Sequence, residues 1–232
     1  MSPDTLFLLP GLDGTGVMFR PLVKELEGVV RTVVISYPTQ EALDYDELLE
    51  LVLAALPKEE PFYLLGESFS GPLAIRAAAT KPAGLRGVIL CASFARNPLW
   101  WAPAWLAPFV RSPLFRLYPP LKALKALLGT RANPQLQELT REALEHFHPR
   151  TLAKRAREVL RVDARISVSE CAVPILYLAG ESDALVREDS AREVAALAPE
   201  FELVKLPCSH LVLQCEPRAA SKAIRQFVTG TS

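Results

Sequence analysis

The sequence predicts an α/β fold, with a mostly parallel sheet of about six strands, flanking helices and a helical insertion. Short apolar runs alternate with segments of helical spacing along most of the 232 residues, which favours parallel pairing with right-handed crossovers. The alternation stops after Ala92 and resumes at Pro174. With 50% hydrophobic residues, the chain can bury one full core. We therefore expect one domain, with a core at residues 1–94 and 166–232 and an insertion at residues 95–165.

The elements before the insertion follow from apolar spacing. Runs of strand length lie at residues 5–9, 32–37, 62–65 and 87–92. The run at 62–65 is continuously apolar, as expected for a strand that is buried on both faces of a parallel sheet. Helices are expected at 17–26, at 44–56 and from the first turn around Pro72, where proline is tolerated.

Only helices are expected inside the insertion, and the strand–helix alternation then returns. The predicted insertion helices are at 121–128, at 134–147 after an expected N-cap at Asn133, and at 149–160. The later elements are strands at 174–180 and 201–206 and helices at 187–197 and 217–228. These last two strands complete the predicted sheet.

The turn after the third strand reads Gly-Glu-Ser-Phe-Ser-Gly at residues 66–71. A serine at the tip of such a turn adopts a strained backbone, and the residues two before and two after it must be small. Gly66 and Ser70 meet this requirement, so Ser68 is the candidate nucleophile. The N–H of Phe69, at the start of the next helix, is a candidate oxyanion donor.

Two later strand ends carry the other groups that such a nucleophile needs. Asp183 follows the fifth expected strand and His210 follows the sixth. Functional residues of open parallel sheets gather beyond the carboxyl ends of strands. The other two histidines, His146 and His148, lie two positions apart in the insertion, where a helix would point them in different directions. We predict neither a base nor a metal pair there.

The turn at 66–71 matches the nucleophile elbow of the α/β-hydrolase superfamily, and the resemblance extends over nearly the whole chain. Ser70 replaces the second glycine of the Gly-x-Ser-x-Gly pattern. The order Ser68, Asp183, His210 is the one that this fold requires. Together with Leu-Pro-Gly-Leu-Asp-Gly-Thr-Gly at 9–16, these features resemble bacterial serine esterases and the hydrolase portion of plant plastid acyltransferases that make phytyl esters.

The glycine-rich loop at 10–16 has a role that the resemblance implies. In the superfamily, the residue after a His-Gly pair in this loop supplies the second oxyanion N–H. The pair here is Pro10-Gly11, so Leu12 inherits the role by position, and Asp13 remains the alternative donor. The loop has no nucleotide-binding Gly-x-Gly-x-x-Gly or Gly-Lys-Ser/Thr pattern.

The resemblance also implies that the insertion is a helical cap over the active site. All three tryptophans of the chain, Trp100, Trp101 and Trp105, fall inside it. We expect at least one of them to line an apolar acyl pocket, and the alternative is that they only pack the cap on the core. Residues 96–165 contain 13 basic and 5 acidic residues, a net charge of +8, so the rest of the chain carries −8.

The composition of the chain limits the classes of binding partner that we expect. The chain has a net charge of zero, which gives no indication of nucleic acid as a partner. No segment has the length and apolarity of a membrane span or a signal peptide, so we expect a cytoplasmic protein without integral membrane association. The four cysteines lack the spacing of a metal site and are expected to be reduced.

The expected function is that of a serine carboxylesterase acting on short- to medium-chain esters through an acyl-enzyme. Such a reaction needs no cofactor and no metal. An acyl-CoA or acyl-carrier thioesterase and an acyltransferase would use the same residues, and the positive insertion favours considering an anionic carrier. A ligand-binding receptor that retains the three residues without turnover is the alternative from a different class. The oligomeric state is not predicted.

Overall fold

The computed structural model of the protein describes residues 4–99, 101–117, 134–146 and 148–230. The strands of this part form one sheet in the order β2-β1-β3-β4-β5-β6, and every neighbouring pair is parallel. They are β1 (Thr5–Leu9), β2 (Arg31–Val34), β3 (Phe62–Glu67), β4 (Leu85–Cys91), β5 (Ile175–Gly180) and β6 (Phe201–Leu206). The predicted α/β class with about six parallel strands is confirmed.

Helices connect the strands. The α-helices are α1 (Arg20–Leu26), α2 (Tyr45–Ala55), α3 (Gly71–Ala79), α4 (Ser112–Leu117), α5 (Pro134–Glu145), α6 (Pro149–Arg161), α7 (Arg165–Glu170), α8 (Glu188–Leu197), α9 (Val212–Cys215) and α10 (Pro217–Gly230). Short 3-10 helices lie at Val17–Phe19, Ser68–Ser70 and Ala104–Phe109. The helix expected at 17–26 is divided between a 3-10 turn and α1, because Pro21 lacks the N–H that would continue the hydrogen-bond ladder. The short helices α7 and α9 were not predicted.

Both faces of the sheet are covered, and successive strand residues alternate between them. In β1, Leu6 and Leu8 belong to a hydrophobic cluster that includes residues of α1 and α10. Phe7 and Leu9 belong to a second cluster, which includes residues of α2, α3 and α8. The central strands are therefore apolar at nearly every position, and polar side chains gather beyond their carboxyl ends.

The segment between β4 and β5 leaves the core and returns to it at one place. Arg96 and Asp163 form an antiparallel bridge, and the Ala164 N–H donates to the Ala95 carbonyl at 2.7 Å. The described residues between these points contain a 3-10 helix, α4, α5 and α6. Trp100, Asn133, Phe147 and the helix expected at 121–128 lie outside the described residues. The division into a core and a cap at residues 95–165 stays a prediction.

The turn from β3 into α3 brings the two elements into unusually close contact. A Cβ atom at Gly66 would lie 2.5 Å from the Ser70 carbonyl oxygen and 2.9 Å from the Ala74 Cβ. A Cβ at Gly71 would lie 1.7 Å from the Ser93 Oγ. Glycine at these positions is what allows α3 to begin directly above the end of β3.

A carboxyl group is buried at the end of β3. Glu67 is 5% exposed, and its Oε1 accepts a hydrogen bond from Gln214 Nε2 at 2.7 Å. Burial raises the pKa of Glu67 to about 7, and the nearby Asp13 contributes to the rise, whereas Gln214 and His210 oppose it. The native protein therefore retains a proton on Glu67 at pH values where an unfolded chain has released it.

We expect Gly66→Ala to lower the free energy of unfolding by about 1–3 kcal/mol, because the new methyl group would overlap the main chain of the turn. The matched control is Gly230→Ala, where a Cβ meets nothing within 4 Å. Urea denaturation of both variants measures the difference. Equal stability of the two variants would contradict the close packing of β3 against α3.

The second prediction concerns Glu67→Gln and the dependence of stability on pH. The native pKa lies above the unfolded value, so the native state binds the extra proton and stability falls as pH rises from about 4.5 to 7. The free energy of unfolding of Glu67→Gln, relative to that of the parent, should therefore increase by about 3 kcal/mol as the pH rises through this window. Urea denaturation at pH 4.5, 6 and 8 measures this difference. An exposed glutamate, tested as Glu202→Gln, should give no such trend, and a flat difference for Glu67→Gln would contradict the raised pKa.

Candidate active site

The structure brings together the three residues that the sequence places at strand ends. The Ser68 Oγ lies 2.9 Å from His210 Nε2, and His210 Nδ1 lies 2.8 Å from Asp183 Oδ2. The His210 and Asp183 side chains are 8% and 2% exposed. With its proton on Nδ1, a neutral His210 donates to Asp183 and leaves Nε2 free to accept the Ser68 hydroxyl proton.

Asp183 is oriented by the backbone that follows it. Its Oδ1 accepts hydrogen bonds from the N–H groups of Leu185 and Val186, both at 2.9 Å. The other oxygen remains for His210. This division of the two oxygens fixes the carboxylate plane, and with it the direction in which the imidazole points.

The Ser68 backbone is strained and is held in place by hydrogen bonds. Its φ of 48° lies in the left-handed region, which is uncommon for a residue other than glycine. The Ser68 carbonyl accepts a hydrogen bond from Ser93 Oγ at 2.6 Å, and the Ser93 carbonyl in turn accepts from the Tyr177 hydroxyl. Ser93, which follows β4, and Tyr177, within β5, therefore support the turn that carries the candidate nucleophile.

The candidate oxyanion donors lie in the two segments that follow β1 and β3. These strands are neighbours, and Leu9 is paired with Gly66 in their register. The Phe69 ring stacks on Tyr45 at a centroid distance of 4.7 Å, and the Tyr45 hydroxyl donates to the Phe69 carbonyl at 2.7 Å. No hydrogen bond between described residues uses the Leu12 N–H. The choice between Leu12 and Asp13 as the second donor stays open.

Ser70 joins these two segments. Its hydroxyl donates to the Pro10 carbonyl at the start of the glycine-rich loop. A serine has a single proton to donate, so the Tyr37 hydroxyl, 2.7 Å away, is the donor of the second bond to Ser70 Oγ. The serine that replaces the second glycine of the family pattern thus connects the turn to the loop.

Sequence reasoning missed the residues that support the site. Ser93 and Arg155 donate to main-chain carbonyls of the turn and of the loop, and Tyr37 donates to the Ser70 hydroxyl. The sequence around them carries no recognisable motif, because each contact joins segments that are far apart along the chain. Only the polar character of Ser70 at a glycine position could have indicated a special role.

The predicted acyl pocket stays a prediction. Trp101 and Trp105 are 64% and 68% exposed, and Trp100 lies outside the described residues. A cavity of about 420 Å³ borders Asp183, and its lining includes Tyr177 and Lys205 but neither Ser68 nor a described tryptophan. This cavity therefore does not correspond to the expected pocket.

The sequence predicts that the other histidines and the cysteines form neither a base nor a metal site. His146 is exposed and its Nδ1 lies 3.0 Å from the Glu142 carbonyl. Within the described ranges, no cluster of three or more histidines, cysteines and acidic residues is arranged to hold a metal ion. The four cysteines are free thiols. Among the helices of the described residues, none combines the length and apolar character needed to span a bilayer.

Comparison with known proteins places the chain in a family. The model of the alpha/beta hydrolase family matches residues 6–221. Phytyl ester synthase 1, chloroplastic, from Arabidopsis thaliana is 35% identical over 104 residues, which are 41% of this chain and only 15% of that protein. The pimeloyl-[acyl-carrier protein] methyl ester esterase of Xanthomonas axonopodis pv. citri (strain 306) is 29% identical over 248 residues, covering 96% of this chain and 94% of the esterase.

Solved structures agree at the level of the fold. The esterase EaEST from Exiguobacterium antarcticum has a TM-score of 0.85 at 16% identity, covering 98% of this chain and 92% of that structure. The family match extends over both sides of the insertion and includes all three residues of the candidate site. The chain therefore belongs to the alpha/beta hydrolase family and is a serine hydrolase of the ester-hydrolysing type.

Proposed function

We propose that the protein is a carboxylesterase that hydrolyses short- to medium-chain esters, with Ser68 as nucleophile, His210 as general base and Asp183 as the orienting acid. The observation that carries this proposal is the continuous hydrogen-bonded relay from Ser68 Oγ through His210 to Asp183, with distances of 2.9 Å and 2.8 Å. These are the separations at which a base takes the proton of a nucleophile.

The mechanism follows from this relay. His210 Nε2 accepts the Ser68 proton as Oγ attacks the ester carbonyl, and Asp183 stabilises the imidazolium that forms. Collapse of the tetrahedral intermediate breaks the ester C–O bond, and His210 returns the proton to the departing alcohol. A water molecule then attacks the acyl-enzyme with His210 again as base, which releases the acid and restores Ser68.

The N–H groups of Phe69 and Leu12 are proposed to bind the negatively charged oxygen of the intermediate. The Phe69 N–H lies at the N-terminal start of a helix, where main-chain donors lack partners within the helix. The Leu12 N–H has no partner among the described residues. In comparable sites, loss of one such donor costs about 3 to 4 kcal/mol of transition-state stabilisation.

The cap at residues 95–165 is proposed to set the substrate range. Its aromatic residues Trp101 and Trp105 expose apolar surface. At least one of these two residues and Trp100 is proposed to line the acyl pocket. An apolar wall favours esters with an apolar acyl part. Pro98, Pro103, Pro108 and Pro113 interrupt the first part of the segment at intervals of five residues, and we therefore expect the pocket to fill with short or medium acyl chains.

A second candidate function is hydrolysis or transfer of an acyl group that is attached to an anionic carrier. The net charge of +8 in residues 96–165 favours it, and so does the similarity to an esterase whose name specifies an acyl-carrier protein substrate. Thioester hydrolysis or transfer of the acyl group to an alcohol would use the same nucleophile. Parallel rate series with nitrophenyl esters and acyl-CoA thioesters, with and without an added alcohol, distinguish these reactions.

The first test is the identity of the nucleophile and base. Ser68→Ala should abolish ester turnover and labelling by a fluorophosphonate, and His210→Ala should reduce turnover by several orders of magnitude. His146→Ala, which removes an exposed histidine, is the matched control and should retain the parental rate. Labelling that survives Ser68→Ala, or stoichiometric acylation of the parent without turnover, would overturn the proposal.

The second test is the dependence of rate on acyl length. A buried methylene contributes about 0.8 kcal/mol, so kcat/KM should rise roughly three- to fourfold per added carbon until the pocket is full. At least one of Trp100→Ala, Trp101→Ala and Trp105→Ala should shift the optimal length. All variants should remain labelled by a small fluorophosphonate. An unchanged length profile in all three variants would show that these tryptophans do not line the pocket.

A further inference from the structure

Arg155, on helix α6 of the insertion, is a buried cation without a carboxylate partner at ion-pair distance among the described residues. It is 2% exposed and is among the largest fully buried side chains. Burial of a guanidinium costs free energy unless its donors are paired, and an apolar side chain would fill the same space at lower cost. Burial lowers the pKa of Arg155, and the field of Asp13 partly opposes this. Packing alone therefore does not explain why an arginine occupies this position.

The guanidinium of Arg155 is bound to main-chain oxygens of the core. Its Nη1 donates to the carbonyls of Leu12 and Asp13, at 2.9 Å and 3.0 Å. Its Nη2 donates to the Pro38 carbonyl at 3.0 Å, and the group lies over the Tyr37 ring at 5.6 Å. The planar fork of arginine can hold several acceptors at fixed angles, which an ammonium group cannot do.

Gly14 makes room for this group. It has a φ of +74°, and a Cβ at this position would lie 2.3 Å from Arg155 Nη1. The loop and the arginine are thus fitted to one another. A side chain at Gly14 would push the guanidinium away from the loop.

The carbonyls that Arg155 holds determine where the loop N–H groups point. The Gly14 N–H donates to the Gly11 carbonyl at 3.1 Å, which closes a four-residue turn with Leu12 and Asp13 at its centre. The Leu12 carbonyl and the Asp13 N–H belong to one planar trans peptide and point in opposite directions. Rotation of this central peptide converts one turn type into another and reverses both groups. Bonds from one nitrogen to the carbonyls of Leu12 and Asp13 oppose that rotation.

We propose that Arg155 is a positioning residue for ester hydrolysis, which locks the turn at Gly11–Gly14 so that its main-chain N–H groups stay directed at the oxyanion. The insertion then contributes to the chemical step and not only to substrate binding. This inference rests on the proposed function, since it assumes that the loop after β1 supplies an oxyanion donor. The Asp13 N–H lies in the peptide whose carbonyl Arg155 holds, and the Leu12 N–H lies in the preceding peptide of the same turn.

A structural anchor for the insertion is the alternative role, and the kinetic constants separate the two. A small substrate such as nitrophenyl acetate makes few contacts with a cap, so an anchor would affect its kcat little. A locked oxyanion loop acts in the transition state and therefore changes kcat. Arg155→Lys and Arg155→Met should each lower kcat for nitrophenyl acetate about 100-fold with KM changed less than threefold. Rates are expressed per fluorophosphonate-titrated site, so that unfolded protein is not counted.

Lys154→Met is the matched control on the same helix. Lys154 also joins the insertion to the core, through an ion pair with Asp44 at 3.1 Å. Among the described residues, its hydrogen bonds and ion pairs go to Asp44 and Glu158 and not to the loop. Its substitution should leave kcat within twofold of the parent. Added guanidinium ion should restore part of the activity of Arg155→Ala and have no such effect on Lys154→Met.

A second pair of variants tests the same inference with Arg155 intact. Gly14→Ala should reproduce the loss of kcat, because the new Cβ displaces the guanidinium. Gly28→Ala has the same φ of +74° but no atom within 4 Å of the new Cβ, and it controls for backbone strain alone. Parental kcat in Arg155→Lys, or equal kcat in the two glycine variants, would overturn the role of Arg155. Activity that survives Ser68→Ala would instead overturn the proposed function itself.

Discussion

The arrangement of the active site depends on the close crossing of β3 and α3. Gly66 lies so near the Ser70 carbonyl that no Cβ fits between them, and Ser68, in the turn between these residues, has a φ of 48°. The strained serine projects beyond the sheet, where His210 from the end of β6 reaches it. Strain of this kind persists only when neighbouring contacts over-determine it. Ser93, after β4, bonds the Ser68 carbonyl, and Tyr177, in β5, holds Ser93.

A second set of contacts couples three separate segments around the loop after β1. Ser70 binds Pro10 from the turn, Tyr37 binds Ser70 from the end of β2, and Arg155 binds the loop from the insertion. Each contact ends on a main-chain carbonyl or on the hydroxyl that holds one. The network therefore fixes backbone geometry, which is the property that an oxyanion site requires of its donors. Glu67 is buried beside this network, and that burial raises its pKa.

The features of the protein that concern the substrate differ in kind from the features that concern the reaction. Ser68, His210 and Asp183 meet at hydrogen-bond distance beyond the carboxyl ends of strands in one sheet. The insertion contributes exposed aromatic rings and a positive charge, which are features of a surface and not of a closed pocket. Function is carried by sites that are grafted on a fold, so the strand-end residues are proposed to explain ester hydrolysis, and the segment between β4 and β5 is proposed to explain selectivity.

The sequence by itself determined the parallel sheet and the positions of Ser68, Asp183 and His210. The sheet and these positions follow from local sequence patterns, because apolar runs predict the strands and a parallel sheet brings the carboxyl ends of its strands to one edge. The glycine spacing of the turn is equally local. Only the tertiary structure decided the roles of Ser70, Tyr37, Ser93 and Arg155, and the exposure of Trp101 and Trp105. Those depend on which distant segments pack together, and hydrogen bonds between such segments leave no periodic signal in the chain.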